Sequence, residues 1–238
     1  MRFLVTRPQP ECRLTADRLR SEGHVADELP LLVATSELPG TLDLEGVGAI
    51  AFTSRRAVDL LATHRQVDSL VTLPVFAVGK ATAEACARAG FESVLTASDG
   101  VGSLAKLILD NRSLVAGKTV LYPAARQRAG DLEGLLSAGN ILCRTVVVYR
   151  MDPLTRLPGD MVRNLDDNIY DGILIFSRRT AEALVSLIET SGLDHIFSDL
   201  SVYAISRQAA EPLSRFNRVH VADAPCQNAL LELALAEC

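Results

Sequence analysis

Short apolar runs alternate with helix-patterned segments along the whole chain, and this alternation constrains the fold more than any single motif. Runs rich in Val, Ile, Leu, Phe and Ala fall at residues 3–6, 49–53, 75–78, 93–96, 119–122, 143–149, 172–176, 201–205 and 218–221. Strands buried on both faces read this way, because neither face needs polar residues. Helical patterns at residues 10–21, 55–63, 80–89, 102–111, 130–137, 178–190, 207–216 and 226–236 follow most of these runs. Strand-then-helix repetition predicts parallel sheets with helices on both faces. Gly23, Gly90 and Gly139 each stand just past a helical pattern, where a left-handed cap is wanted.

The alternation also repeats itself. Ser54-Arg-Arg-Ala-Val-Asp-Leu-Leu61 resembles Ser177-Arg-Arg-Thr-Ala-Glu-Ala-Leu184. Ala77-Val-Gly-Lys-Ala-Thr-Ala-Glu84 resembles Ala204-Ile-Ser-Arg-Gln-Ala-Ala-Glu211, and Leu19-Arg-Ser-Glu-Gly23 resembles Leu135-Leu-Ser-Ala-Gly139. The offsets are 123, 127 and 116 positions, close to half of the 238 residues. Two related α/β units are expected, which fits a length of roughly one and a half average domains. Two copies do not make a solenoid. Two connectors, at residues 29–46 and 149–159, break the rhythm with strand-like runs and Pro-Gly turns. They predict two chain crossings between the units.

Composition removes several function classes. The hydrophobic fraction of 48% excludes a disordered chain, and the net charge of −5 disfavours a general nucleic-acid binder. No stretch approaches the roughly 18 apolar residues of a membrane span, and the N-terminal apolar run is too short for a signal-peptide core. The five cysteines, Cys12, Cys86, Cys143, Cys226 and Cys238, form no CxxC, so neither zinc nor a redox pair is indicated. Scattered thiols suit a reducing compartment, and a cytoplasmic location is expected.

No GxGxxG, GxxxxGK[ST] or GxSxG motif is present, so nucleotide and hydrolase fingerprints are missing. The four histidines are isolated, and Asp166-Asp167 reads as part of a solvated loop. What remains is a set of polar strand-to-helix junctions. They are Thr6-Arg7-Pro8, Thr53-Ser54-Arg55-Arg56, Gly79-Lys80-Ala81-Thr82, residues 124–128 with Arg126 and Arg128, Ser177-Arg178-Arg179 and Ser206-Arg207. In parallel sheets such junctions lie at the carboxyl ends of strands, where ligands bind. Helix-start N–H groups beside Arg or Lys suit carboxylate or phosphate. Any one Ser or Thr here is equally an ordinary helix cap. Their repetition points to a ligand with many anionic groups.

The stretches Leu4-Val-Thr-Arg-Pro8, Ala51-Phe-Thr-Ser-Arg-Arg-Ala-Val58, Phe76-Ala-Val-Gly-Lys-Ala-Thr-Ala-Glu-Ala85, Val146-Val-Val-Tyr-Arg150, Ile175-Phe-Ser-Arg-Arg179 and Ala204-Ile-Ser206 occur together in this order. In this the chain resembles the uroporphyrinogen-III synthase family. The resemblance implies two flavodoxin- or Rossmann-like parallel-sheet domains, joined by a two-stranded linker with a central cleft. The first domain would be discontinuous, residues 1–32 with 153–238, and the second would be residues 33–152 including the linker strands. The implied reaction is a cyclising hydro-lyase step in heme and other tetrapyrrole biosynthesis. Linear hydroxymethylbilane, with eight carboxylates, becomes uroporphyrinogen III with loss of water and inversion of ring D. No metal or organic cofactor, nucleic acid or membrane is implied, and a monomer is expected. A non-catalytic hinge-type binding protein for an anionic small molecule is the alternative reading of the same residues.

The resemblance assigns a catalytic role to Tyr149, as the group assisting departure of the hydroxyl. Substrate binding is expected at Arg7, Thr53, Ser54, Arg55, Gly79, Lys80, Ala81, Thr82, Arg126, Ser177, Arg178 and Ser206. The chain departs from the family pattern at Arg56, where many members have Asn, and at Tyr122-Pro-Ala-Ala-Arg126, where Arg-Gly is common.

Overall fold

The computed structural model describes residues 1–115, 117–128 and 130–236, so Cys238 lies outside the described residues. The chain forms two compact units, Met1–Ala34 with Asp152–Cys238, and Thr35–Met151. It begins in the first unit with β1 (Arg2–Val5), α1 (Glu11–Ser21) and β2 (Val25–Glu28). Strand β3 (Leu32–Ser36) carries it into the second unit, which holds β4 (Val47–Phe52), α2 (Arg55–Ala62), β5 (Val75–Val78), α3 (Gly79–Arg88), β6 (Val94–Ala97), α4 (Gly100–Asp110), α5 (Arg112–Val115), β7 (Thr119–Ala125) and α6 (Leu132–Ala138). Strand β8 (Cys143–Pro153) returns it to the first unit, completed by α7 (Gly159–Asp166), β9 (Gly172–Ile175), α8 (Arg178–Ser191), α9 (Ile196–Asp199), β10 (Ser201–Ala204), α10 (Arg207–Ala210), β11 (Arg218–Val221) and α11 (Gln227–Leu235). The sequence expectation put the crossings at 32/33 and 152/153; compactness divides the chain at 34/35 and 151/152, inside β3 and β8.

The first sheet has the order β11-β10-β9-β1-β2, with every pair parallel. The second has the order β3-β8-β7-β4-β5-β6, and its five strands β8 to β6 pair in parallel. Counted from β1 and from β7, both follow the flavodoxin-like order 2-1-3-4-5. In the second unit the first two of those strands come last in the chain. The three sequence repeats fall on equivalent places of this pattern: the α1 and α6 ends, the β4–α2 and β9–α8 junctions, and the β5–α3 and β10–α10 junctions. The chain is thus a tandem repeat in which each unit combines the short β-α-β piece of one copy with the longer piece of the other.

Each unit has its own core. Phe3, Val5, Leu19, Leu174, Tyr203 and Leu230 pack together in the first, and Ala49, Phe76, Leu104, Ile108, Tyr122 and Leu136 in the second. Several elements depart from the sequence expectation. Strand β2 carries Asp27 and Glu28 and did not read as apolar; it is an edge strand, and Asp27 receives Arg2 Nε at 2.8 Å. The segment before Asp166-Asp167 is helix α7 with Leu165 buried, not an open loop. The helix expected over 207–216 stops at Ala210 and passes into a 3₁₀ turn, Glu211–Leu213, because Pro212 has no N–H to continue an α-helix.

Gly23 and Gly90 take the left-handed conformation expected of them, but Gly139 does not (φ −94°), and Asn140 turns the chain at φ 58° instead. Gly139 packs against α4: a Cβ there would stand 2.2 Å from Leu109 Cδ2, so the leucine side chain would have to shift.

Candidate functional site

The second unit brings four hydroxyls to the carboxyl end of its sheet. Strand β4 ends at Phe52, and Thr53 and Ser54 follow as the chain turns into α2. Ser54 is extended (φ −150°, ψ 143°), and its Oγ accepts from the Ala57 N–H at 3.2 Å, capping the helix. Thr53 Oγ1 lies 3.0 Å from the Tyr122 hydroxyl of β7, and Ser54 Oγ lies 3.1 Å from the Tyr149 hydroxyl of β8. Between Ala124 and Ala125 the β7–β8 register shifts, so that Ala125 pairs with Tyr149 and one residue of β8 is extra. Such a bulge re-aims the strand end, here the end that carries Tyr149. The Arg56 guanidinium stands 5.8 Å from the Tyr149 ring centroid, and its Nη1 donates to Met151 Sδ at 3.1 Å.

Thr53, Ser54, Tyr122 and Tyr149 border a cavity of about 270 Å³, together with Val78, Val101 and Arg128. The cavity lies where the strand order reverses, between β7 and β4, the position where open α/β sheets bind ligands. Tyr122 and Tyr149 are both buried, as the walls of a ligand site should be. Burial pushes the Tyr122 phenol above its ordinary value, so it is a neutral hydrogen-bonding group at physiological pH.

The remaining expected residues of this unit lie around the same sheet end. Gly79 opens α3 at φ +73°, directly after Val78. Ala81 and Lys80 are exposed, with Lys80 Nζ 3.8 Å from Glu84, and Arg55 is half-buried in the first turn of α2. Thr82 is turned inward and 6% exposed, and does not line the cavity. Arg126 is held by Glu37 in a two-pronged pair, Nε to Oε2 at 2.9 Å and Nη2 to Oε1 at 2.8 Å. Arg150 adds a third bond to Glu37 Oε1 at 3.1 Å.

The Glu37 group gives a prediction with a definite sign. The Arg126 hydrogen bond, with Arg150 behind it, lowers the Glu37 carboxyl below its ordinary 4.5. A lowered folded-state pKa contributes stability that is full above the unfolded value and is lost as pH falls through the folded one. Glu37→Gln is expected to melt below the wild type near pH 7, with the gap narrowing as the pH falls below 4.5 and through the lowered folded-state value. Thermal melts across that range check it, and a gap independent of pH assigns Glu37 to packing.

The first unit presents the equivalent end of its own sheet, at the β1–β9 reversal. Ser177 caps α8, accepting from the Thr180 N–H at 3.2 Å, and its Oγ meets Thr180 Oγ1 at 2.8 Å. Ser206 caps α10 through the Ala209 N–H at 3.2 Å. Arg7 Nη1 donates to Gln227 Oε1 at 2.7 Å, and its guanidinium lies 4.5 Å from the Phe176 ring centroid. Arg178 pairs with Glu182 at 3.0 Å and with Glu211. Arg7 and Arg178 are therefore engaged within the protein, while the serines sit at the strand ends with helix N–H groups beside them.

The arrangement offers hydroxyls, helix-start N–H groups and cations. Burial raises the Cys12, Cys86 and Cys143 thiols to about 12, which removes them as thiolate nucleophiles at neutral pH. Among the described residues no group of three or more His, Cys, Asp and Glu is placed to hold a metal ion. Tyr122, Gln127 and Arg128 also line the cavity; Arg128 belongs to the 124–128 junction noted from sequence, whereas Tyr122 and Gln127 were not among the expected binding residues. The signal for Tyr122 was its place near the end of a strand flanking the Thr53 junction.

The family model HEM4, described as Uroporphyrinogen-III synthase HemD, matches residues 14–232. The chain belongs to the uroporphyrinogen-III synthase family. It is a lyase of tetrapyrrole biosynthesis, and its family acts on hydroxymethylbilane. Among solved structures it is similar to a uroporphyrinogen-III synthetase from Helicobacter pylori, at 21% identity and TM-score 0.64, covering 100% of this chain and 99% of that one. It is also similar to a mutant uroporphyrinogen III synthase from the extreme thermophile Thermus thermophilus, at 14% identity and TM-score 0.56, covering 100% of both. At these identities the likeness bears on the fold, which is the same two-unit α/β architecture with parallel sheets. A search of curated protein sequences finds no match. Membership of the uroporphyrinogen-III synthase family decides for the enzyme over the binding-protein alternative. No helix among the described residues is long and apolar enough to cross a membrane.

Proposed function

We propose that Tyr149 assists the departure of water from hydroxymethylbilane in the uroporphyrinogen-III synthase reaction. The observation that carries this reading is the Tyr149 hydroxyl, 3.1 Å from Ser54 Oγ, on the wall of the cavity at the strand-order reversal. The hydroxymethyl C–O bond breaks, and the oxygen leaves as water with a proton lent by the phenol. The pyrrole N–H supplies the compensating proton as the azafulvene forms, so the phenol is restored. Attack by the substituted α-carbon of ring D gives the spiro intermediate, whose reopening and reclosure invert that ring. A phenol is a weak acid, which makes this contribution modest and leaves much of the catalysis to positioning.

Carboxylates of the substrate are held by junction residues within each unit. In the second these are Thr53, Ser54, Arg55, Lys80 and Thr82, with the backbone N–H groups of Gly79 and Ala81. In the first they are Ser177 and Ser206, with Arg7 and Arg178 released from their present partners. The chain is expected to act as a monomer. A reducing cytoplasm suits Cys12, Cys86, Cys143 and Cys226, all free thiols. The test supplies the protein with enzymically generated hydroxymethylbilane and separates the porphyrin isomers after oxidation. Type III is expected to dominate; a product no richer in type III than the uncatalysed reaction would overturn the reading.

A further inference from the structure

We propose that Arg128 and Tyr122 form a carboxylate-binding subsite in the second unit, which seats one ring of the substrate with its reacting carbon toward Tyr149. This rests on the reading of Tyr149 given above. Two arginines, Arg126 and Arg128, lie one residue apart in the same junction, and the sequence expectation assigned binding to Arg126. Their surroundings favour Arg128. Both prongs of the Arg126 fork are spent on Glu37, and Arg126 does not line the cavity. Arg128 does line it, and its one ion-pair partner among the described residues is Glu133 at 3.5 Å, with both side chains partly exposed. A long, exposed pair of this kind is worth about 0–1 kcal/mol and yields readily to a better-placed anion.

Tyr122 supplies the second contact. Its hydroxyl pairs with Thr53 Oγ1 at 3.0 Å, and a phenol both donates and accepts. With Thr53 as donor, the Tyr122 proton is available to an anion in the cavity. Its buried phenol stays neutral, and Arg128 lines the same cavity. A guanidinium and a neutral phenol converging on one space recognise a planar carboxylate. Val78, Val101 and Ala125 on the same walls take the flat apolar body that carries it. At about 270 Å³ the space is smaller than the roughly 300–1,000 Å³ of pockets that enclose a drug-sized ligand. It holds one pyrrole ring with an acidic arm, and the rest of a linear tetrapyrrole lies outside it.

The experiment compares KM and kcat for hydroxymethylbilane in Arg128→Gln, Arg128→Lys, Tyr122→Phe and Arg126→Gln, with thermal melts confirming each fold. Losing a hydrogen bond to a charged group predicts a KM about ten- to a hundredfold higher in Arg128→Gln, with kcat changed less. Arg128→Lys restores part of the affinity, Tyr122→Phe shows a smaller rise, and Arg126→Gln raises KM less than Arg128→Gln. A KM within about twofold of wild type in folded Arg128→Gln overturns the subsite, as does a larger rise in Arg126→Gln. The reading of Tyr149 stands or falls separately, on the kcat of Tyr149→Phe.

Discussion

Tyr149→Phe is expected to lower kcat by about ten- to a hundredfold, equivalent to roughly 1.4–2.7 kcal/mol of barrier. The substitution removes one oxygen and keeps the ring, which is 8% exposed and flanked by Arg56, so the fold should hold. Ser54 loses its 3.1 Å partner but still accepts from the Ala57 N–H, so the α2 cap survives. Because the phenol acts on departure of water and not on ring inversion, the residual product should remain mainly type III. Single-turnover rates and isomer analysis on the same variant check both halves. An unchanged rate assigns Tyr149 to structure. A shift to type I at unchanged stability gives the tyrosine control of closure geometry, and the division of roles above is then wrong.

The sequence exposed the sheets because strands buried on both faces leave apolar runs, and all nine of these became strands. Strand β2 escaped because an edge strand tolerates Asp27 and Glu28. The repeats at residues 19, 54 and 77 were visible as well. Their meaning was not: nothing in a local match says that the β-α-β piece of one copy completes the sheet of the other. That exchange is a long-range pairing, as between Phe3 of β1 and Gly172 of β9, 169 positions apart.

The candidate site was legible only in part, for a similar reason. Ser54, Ser177 and Ser206 announce themselves as helix caps, and all three accept the expected N–H bond. Tyr122 was hidden because an aromatic in an apolar strand reads as core, and the Tyr122 ring does pack in the core while the residue also borders the cavity. Arg126 and Arg128 have identical chemistry. What separates them is Glu37, contributed by a segment 89 positions away from Arg126. Spacing along the chain carries no information about that pairing.

Gly172→Ala is expected to destabilise the first unit by about 1–3 kcal/mol through overpacking, although replacing Gly normally gains about 0.4–1 kcal/mol from the unfolded chain. Gly172 begins β9, between β1 and β10, and needs no special backbone conformation. Space is the constraint: a Cβ there would stand 2.5 Å from Tyr203 Cε2 and 2.9 Å from Cδ2. Tyr203 has little room to retreat, being 1% exposed, stacked on His220 at 5.0 Å and edge-on to Phe3 at 6.4 Å. The repeat shows how the other unit solves the same junction. At the equivalent positions it has Ala49 and Phe76, both fully buried, on strands in the same register. The unit with the larger ring has the smaller partner. Gly172→Ala combined with Tyr203→Phe recreates the Ala–Phe pair; Phe keeps Cδ2 and Cε2, so part of the loss should return through a shift of the ring that loss of the hydroxyl permits. Denaturant titrations of the two single variants and the double variant measure this as a coupling energy, expected at roughly 0.5–3 kcal/mol for residues in contact. Additive effects would mean that the cost of the Cβ does not depend on the Tyr203 hydroxyl, and that the exchange of sizes between the units carries no packing constraint; an undestabilised Gly172→Ala would mean that the ring turns aside without cost.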